Sequence, residues 1–365
     1  MLYKPVSEKN DLSYGVESII SVANMYFKPD ARISDPEYLR TYNIFKYGDI
    51  AFEGNKSKSY ANGRFVENTI GDGIVSHVFI VLRPLSPTHN LEYWKYAINN
   101  ENVMGRILAR CTKKTTMMTN LVTSDFLEQE ICCPVESEQD KIALFLSLIE
   151  KRLIAQEQLV EHLKKYKRGL LQAVFSREIQ LENSSNWEHR LFGEIASLGK
   201  GKYTPKQEEI LPCIELEHLE QQTGQIIGYA NSNEQNSVKS VFHKGDVLFG
   251  KLRPYLRKFA LPEYDGVCSS EIWVLHPESN IDSTFLFYLI QSESFIAAAN
   301  ISSGTKMPRA EWSKVSNESF FIPELSEQKR IADLLSTIDK RIVNASRSVN
   351  KMQSLKQGLL QQLFI

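Results

Sequence analysis

The 365-residue chain lacks the usual marks of an enzyme. No Asn or Asp is followed by Pro-Pro and an aromatic residue, the pattern of adenine methyltransferases. No G-x-x-x-x-G-K-[ST] loop is present to cradle phosphates, and Gly199-Lys200-Gly201-Lys202 lacks that spacing. Neither His-Glu-x-x-His nor a paired Cys-x-x-Cys offers a metal site, and the 7 histidines form no recognisable triad. The chain is expected to be non-catalytic, with no metal and no cofactor of its own. Its 5 cysteines, Cys111, Cys132, Cys133, Cys213 and Cys268, have no ligand spacing, and reduced thiols of a cytosolic protein fit them best. No apolar run approaches membrane-spanning length and the N-terminus is polar, without a signal peptide, so the expectation is a soluble, cytoplasmic protein with no membrane partner.

An excess of either charge is also missing: 43 basic residues face 44 acidic ones, for a formal net charge of -1. Non-specific affinity for nucleic acid comes mainly from neutralising phosphates. The chain alone is therefore expected to hold DNA weakly, with partners supplying part of any clamp.

What the chain does have is repetition. Residues 137–175 realign without a gap on residues 326–364, with 17 of 39 positions identical. Steps of three and four along the first copy meet Leu146, Ile149, Leu153, Gln156, Val160, Leu163, Lys167, Leu170 and Val174. The same walk along the second meets Leu335, Ile338, Ile342, Ala345, Val349, Met352, Lys356, Leu359 and Leu363. A narrow apolar stripe at this spacing is the seam of a left-handed coiled coil. Each helix is expected to start at the Ser-Glu pair that follows Pro134 or Pro323, and neither contains proline. A helix of this length reaches roughly 50 to 60 Å, too long for one globular core, so the two most economically pack on each other.

The stretches before the helices also correspond. Tyr47-Gly48-Asp49-Ile50 parallels Lys244-Gly245-Asp246-Val247, a turn opening a strand. Gly73 to Pro84 parallels Gly266 to Pro277, a glycine turn running into a strand. Tyr93 to Ile98 parallels Phe285 to Ile290 with helical spacing, and Thr116 to Met118 parallels Gly304-Thr305-Lys306-Met307-Pro308. Only the second head has an opening segment, Trp187 through Leu191 to Gly199-Lys200-Gly201; the first starts abruptly near Tyr14. The expected fold is α+β: two similar globular heads separated by two long helices packed as an antiparallel coiled coil, pseudo-two-fold symmetric. The linear partition is a first head over 1–134, the first spacer helix and linker over 135–186, a second head over 187–322 and the second spacer helix over 323–365.

Local basic clusters stand out against the neutral background. Lys251, Arg253, Tyr255, Arg257 and Lys258 form one, and Lys200, Lys202 and Tyr203 another. The first head has Lys56, Lys58, Tyr60, Asn62 and Arg64 in a stretch of turn-like composition. Arginine reads guanine bidentately and asparagine adenine, while lysine mostly neutralises phosphate. These clusters are the candidate DNA contacts, although each residue would equally suit a solvated surface loop.

The order head, Ser-Glu-Gln helix, head, Ser-Glu-Gln helix resembles the specificity (S) subunit of Type I restriction-modification systems. The pieces that carry the resemblance are the helix starts at Ser137 and Ser326, the Gly-Leu-Leu-Gln ends at Gly169 and Gly358, the run from Gly245 to Lys258, and Gly304 to Pro308. The first head departs from the pattern in lacking a counterpart of Trp187 to Leu191. The resemblance implies that each head is a target recognition domain reading half of a bipartite, asymmetric DNA sequence, with the helices setting the separation. It also implies two methyltransferase subunits docked on the spacers and restriction subunits that translocate, the partners using S-adenosylmethionine, ATP and Mg. Three other readings fit the residues: the recognition subunit of a fused methyltransferase-nuclease, a coiled-coil scaffold whose heads bind proteins, and a cryptic nuclease or methyltransferase, which the missing motifs disfavour.

Overall fold

A computed structural model describes residues 2–33, 35–55, 60–86, 88–115, 118–182, 184, 186–301 and 307–364. The chain forms two compact units: unit 1, Met1–Glu157 with Arg347–Ile365, and unit 2, Gln158–Ser346. Each unit combines one α+β head with a portion of both long helices, so the division between units cuts across both spacers of the linear partition.

The long helices run Glu136–Phe175 and Leu325–Leu363, each beginning one residue before its predicted serine. The glutamine of each Ser-Glu-Gln start has a visible task. Gln139 and Gln328 are buried and fold back so that Nε2 donates to the carbonyls of Pro134 and Pro323, at 2.9 Å in both cases. A side-chain bond of this kind fixes the angle at which the chain enters the helix. The glutamates differ: Glu327 is buried and accepts from Trp187 Nε1 at 3.1 Å, whereas Glu138 is exposed.

Along the first helix Leu146, Val160, Lys167 and Val174 are buried and Ile149, Leu153, Leu163 and Leu170 half-buried; along the second Leu335, Ile338, Ile342, Ala345 and Val349 are buried and Met352 and Leu359 half-buried. Full burial of such an apolar side chain is worth about 1.5–3 kcal/mol, so the stripe is the main attachment of each helix. Within unit 1, Glu150 meets Lys356 at 2.7 Å and Glu157 meets Gln353 at 3.2 Å; within unit 2, Lys167 meets Asp339 at 2.7 Å while Leu171 and Val174 share a core with Ile331 and Leu335. In each unit the two helices therefore run antiparallel.

Both seam lysines are placed by the same three-part arrangement. In unit 2 Lys167 lies 2.7 Å from Asp339 and 5.4 Å from the ring centre of Tyr288, whose hydroxyl donates to Asp339 at 2.8 Å. In unit 1 Lys356 lies 2.7 Å from Glu150 and 5.6 Å from the ring centre of Tyr96, whose hydroxyl donates to Glu150 at 2.7 Å. The tyrosines sit on or beside the head helices Leu91–Ala97 and Ser283–Leu289, capped at matching places by Asn90 and Asp282. One lysine, one carboxylate and one tyrosine thus join each head to both spacer helices.

The heads share a four-stranded antiparallel sheet. Its order is Tyr3–Pro5, Ile80–Pro84, Ile50–Glu53, Arg64–Glu67 in unit 1 and Ala196–Leu198, Ile272–Pro277, Val247–Gly250, Phe259–Ala260 in unit 2. The first head therefore already includes the strand Tyr3–Pro5, upstream of Tyr14; a three-residue strand ending in proline has too little alternation to be read from sequence. The Gly-Asp turns match in detail. Gly48 and Gly245 take φ of +83° and +94°, a region open to glycine. Asp49 and Asp246 each accept a turn N–H, from Lys46 at 2.9 Å and His243 at 2.7 Å, and pair with Arg83 and His276 respectively.

The second sheets diverge. Unit 2 has five strands there, Lys202–Tyr203, Lys239–Phe242, Gly266–Cys268, Pro212–Ile214 and Ala230–Asn231, with one parallel pair; unit 1 keeps the pair Asn43–Phe45 and Gly73–Val75. Unit 2 also has the antiparallel pair Glu188–Leu191 with Ser319–Ile322, which brings Trp187 and Phe192 into its main core. Among the described residues no helix is long and apolar enough to cross a membrane.

Candidate nucleic-acid interface

The two basic stretches picked out by composition occupy the same place in the two heads. In unit 2, residues 251–258 join Val247–Gly250 to Phe259–Ala260; in unit 1, residues 54–63 join the corresponding strands Ile50–Glu53 and Arg64–Glu67. Each loop is held by the segment that follows the short motif before the spacer. The Lys251 carbonyl accepts from Ala310 N at 2.8 Å and Leu252 bridges Arg309; the Gly54 carbonyl accepts from Thr119 N at 2.8 Å and Asn55 bridges Met118. Gly54 is required for this approach, since a Cβ there would stand 2.1 Å from the Thr119 carbonyl oxygen.

The unit 2 loop is pinned along its backbone. Lys251 N donates to Glu271 O at 3.0 Å and Arg253 N to Pro308 O at 2.8 Å. Arg253 and Arg257 flank the 3-10 turn Pro254–Leu256, both with φ of 52°. Left-handed backbone at a residue with a Cβ costs roughly 1–2 kcal/mol, so the surrounding bonds impose this shape. The side chains divide into two groups. Arg257 pairs with Glu293, and Lys258 Nζ donates to the Leu216 carbonyl inside the fold. Arg253 and Tyr255 are exposed and Lys251 is half-buried, and neither Arg253 nor Lys251 has a side-chain partner among the described residues. A guanidinium on a fixed backbone, with no partner to leave, is well suited to a bidentate bond with guanine or phosphate.

The Lys200 cluster joins the same end of the sheet. Leu198 lies opposite Leu275 and Gly250 opposite Ile272, with both flanking strands running in one direction beside Ile272–Pro277. Lys200 and Lys202 are exposed; Tyr203 is half-buried and its hydroxyl lies 3.4 Å from Ser232 Oγ. In unit 1, Lys56 and Lys58 lie outside the described residues, as do Thr116 and Gly304 to Lys306 of the short motifs. Tyr60 and Asn62 are half-buried. Arg64 is engaged inside the head: Nε lies 2.7 Å from Glu53, Nη2 donates to Ala23 O at 2.9 Å, and the guanidinium sits 5.1 Å from the Tyr60 ring centre.

Sequence reasoning missed Arg309, half-exposed beside the loop and bonded to both carboxylate oxygens of Glu271 at 3.0 and 3.3 Å. Its position directly after Gly304 to Pro308 was the available signal. Burial pushes the Cys213 and Cys268 thiols up to about 11 and about 12, which leaves them inert at neutral pH. Among the described residues no group of His, Cys, Asp and Glu could hold a metal ion.

Residues 184–351 match the family of the Type I restriction modification DNA specificity domain. Over 282 residues the chain is 26% identical to the Type I restriction enzyme EcoDI specificity subunit of Escherichia coli, covering 66% of this chain and 62% of that one. It is 24% identical over 264 residues to the MjaVIII specificity subunit of Methanocaldococcus jannaschii, covering 64% and 61%. The matches thus span about three fifths of the length of these curated relatives. In fold, the chain matches the Type I restriction-modification S subunit of M. genitalium with a TM-score of 0.56 at 18% identity, covering 100% of this chain and 93% of that one. A chain from a structure on complex assembly and conformational transition of the type I R-M system gives 0.59 at 15% identity, covering 100% and 95%.

Proposed function

We propose that this chain, whose residues 184–351 are a Type I restriction modification DNA specificity domain and whose fold is that of the S subunits, reads DNA sequence for a Type I restriction-modification complex. The observation that carries the reading is the equivalence of the two basic loops: each head presents the same loop, from the same edge of the same sheet, held by the same segment. Each loop enters a major groove, and the antiparallel helices fix the half-site separation near one helical turn, about 34 Å. Because the loops differ in sequence, the target is asymmetric and split by a non-specific gap. The chain itself has no catalytic part. Two methyltransferase subunits dock on the spacers, flip and methylate adenine with S-adenosylmethionine, and restriction subunits add ATP- and Mg-dependent translocation and cleavage in the cytoplasm.

The test is co-expression with the neighbouring methyltransferase and genome-wide mapping of N6-methyladenine. A split, asymmetric motif that disappears without this chain is expected. Methylation that does not depend on the chain would favour the protein-binding scaffold, which the near-neutral charge of the chain supports.

A further inference from the structure

The register of the shared four-stranded sheet matches the two heads residue by residue beside the basic loops. Ile50 pairs with Leu82 as Val247 pairs with Leu275. Counting back along those strands puts Val78 of unit 1 where unit 2 has Glu271. The turns there agree: Phe79 N donates to Ser76 O at 3.0 Å as Ile272 N donates to Ser269 O at 2.9 Å. The bridge of Asn55 with Met118 likewise matches that of Leu252 with Arg309. At these two places the heads differ in chemistry. Unit 2 has a guanidinium and a carboxylate bonded to each other, whereas Met118 and Val78 of unit 1 are exposed apolar side chains.

The loop does not depend on the Arg309–Glu271 pair for its place. Backbone bonds hold it, from Ala310 N to Lys251 O and from Lys251 N to Glu271 O, and Thr119 N holds Gly54 O in unit 1 where no such ion pair exists. An ion pair whose arginine is half in solvent also contributes little to stability. What the pair does is orient. The carboxylate takes the Nε hydrogen and one Nη2 hydrogen at 3.0 and 3.3 Å. Both Nη1 hydrogens and the other Nη2 hydrogen have no partner among the described residues, and they form the second edge of the planar group. Such an edge matches O6 and N7 of guanine. A phosphate fits it less well, because the Glu271 carboxylate repels a second anion brought to the same guanidinium, while a base edge is neutral.

We propose that Arg309 reads a guanine in the half-site of the second head, and that Glu271 is its positioning residue, fixing the plane in which the guanidinium meets the base. The proposal rests on the reading of DNA argued above and names one of its specificity-determining residues. In the corresponding places of unit 1, Met118 and Val78 offer apolar contact, the chemistry that meets a thymine methyl.

The test maps N6-methyladenine genome-wide for full chains co-expressed with the neighbouring methyltransferase, and measures binding of the purified complexes to duplexes carrying the wild-type motif. Arg309→Ala should make one G·C position of one half-site degenerate and weaken binding of the matched duplex roughly tenfold, with the other half-site unchanged. Arg309→Lys keeps the charge and loses the fork; it should relax the same position, and it decides the matter if the alanine variant does not assemble. Glu271→Gln should relax that position as well, a change that a merely structural pair would not produce. The proposal is overturned if a chain-dependent motif stays intact in both Arg309 variants, or if the relaxed position is not G·C. It is overturned too if binding falls evenly across sequences and the slope of log K against log salt drops by about one, the mark of a phosphate contact. A motif sensitive to Arg309→Ala and indifferent to Glu271→Gln overturns the positioning role. Absence of any chain-dependent motif with the wild-type chain removes the reading of DNA itself, and this proposal with it.

Discussion

In unit 2 the seam lysine, Lys167, has an 8% exposed side chain and bonds to Asp339 and, at 3.2 Å, to Gln291 Oε1; in unit 1 its counterpart Lys356 is 21% exposed. The residue matching Gln291 is Asn99, whose Oδ1 is buried without a partner. Around Lys356 a further cation, Lys95, reaches Glu150 at 3.5 Å, where unit 2 has the apolar Phe287. One design is therefore held at two depths. A buried lysine in a coiled-coil seam tolerates only the register that supplies its partners. Duplication has kept that register device in both units while the packing around it drifted, and the drift is toward openness in unit 1.

The strongest way to break the contrast is to empty the site that unit 2 fills. Phe192→Ala removes a fully buried ring from the main core and should cost about 3–5 kcal/mol. Ile131→Ala in unit 1, at the half-buried place that the spacer repeat matches to Phe320 and on the wall of an open cleft of about 500 Å³, should cost less, about 2 kcal/mol. Calorimetry would give the totals, and amide exchange would show which unit opens. Equal costs would mean that the unit 1 cleft is closed in solution.

Next in size is the carboxylate beneath each lysine. Asp339→Ala strands a buried ammonium and should cost about 3 kcal/mol, while Glu150→Ala, with a third of its side chain and a fifth of its lysine in solvent, should cost about 1 kcal/mol. Urea unfolding of the two variants measures the difference. Lys167→Met should restore much of the loss in the Asp339→Ala background, since it removes the stranded charge.

A third difference is sensitive to pH. Glu67 of unit 1 is buried, and its Oε2 has no hydrogen-bond partner. Ala51 pairs with Val66 as Leu248 pairs with Ala260, so the place of Glu67 in unit 2 falls to Leu261. Burial pushes the Glu67 carboxyl from its ordinary 4.5 up to about 8, against the pull of Lys95. The folded value lies above the unfolded one, so between about 4.5 and 8 the unfolded chain releases a proton that the folded chain keeps, and stability falls as pH rises through that window. Glu67→Gln should therefore stabilise unit 1 by about 2 kcal/mol at pH 7 and by almost nothing at pH 4.5. Urea midpoints at the two pH values check the sign.

The spacers were legible in the sequence because a 3.5-residue period declares itself whatever it packs against. The seam lysines were visible as polar exceptions, but their meaning was not: Asp339 and Tyr288 are far from Lys167 in the chain and meet it only after the helices pair. The basic stretches at 56–64 and 251–258 were legible by composition, yet their equivalence was hidden, because insertions in the heads change the offset between copies. Whether a lysine is free is a tertiary property. Nothing local distinguishes Lys258, spent on a carbonyl of Leu216, from Lys251 seven residues earlier.

That division within one loop supplies the smallest and sharpest test. Arg253 and Arg257 share the same backbone φ and lie four residues apart, but only Arg257 has an internal partner, Glu293. If the loop reads DNA, Arg253→Ala should weaken target binding by the assembled complex by about 1–2 kcal/mol, roughly tenfold, and leave thermal stability unchanged. Arg257→Ala should do the reverse, lowering stability by less than about 1 kcal/mol through loss of a surface pair with little effect on DNA. The salt dependence separates the roles further: loss of a phosphate contact lowers the slope of log K against log salt by about one, whereas loss of a base contact relaxes sequence preference at one position. Equal effects of the two substitutions would mean that the loop rearranges on binding, releasing Arg257 from Glu293, and the pinned backbone would then not be the reading conformation.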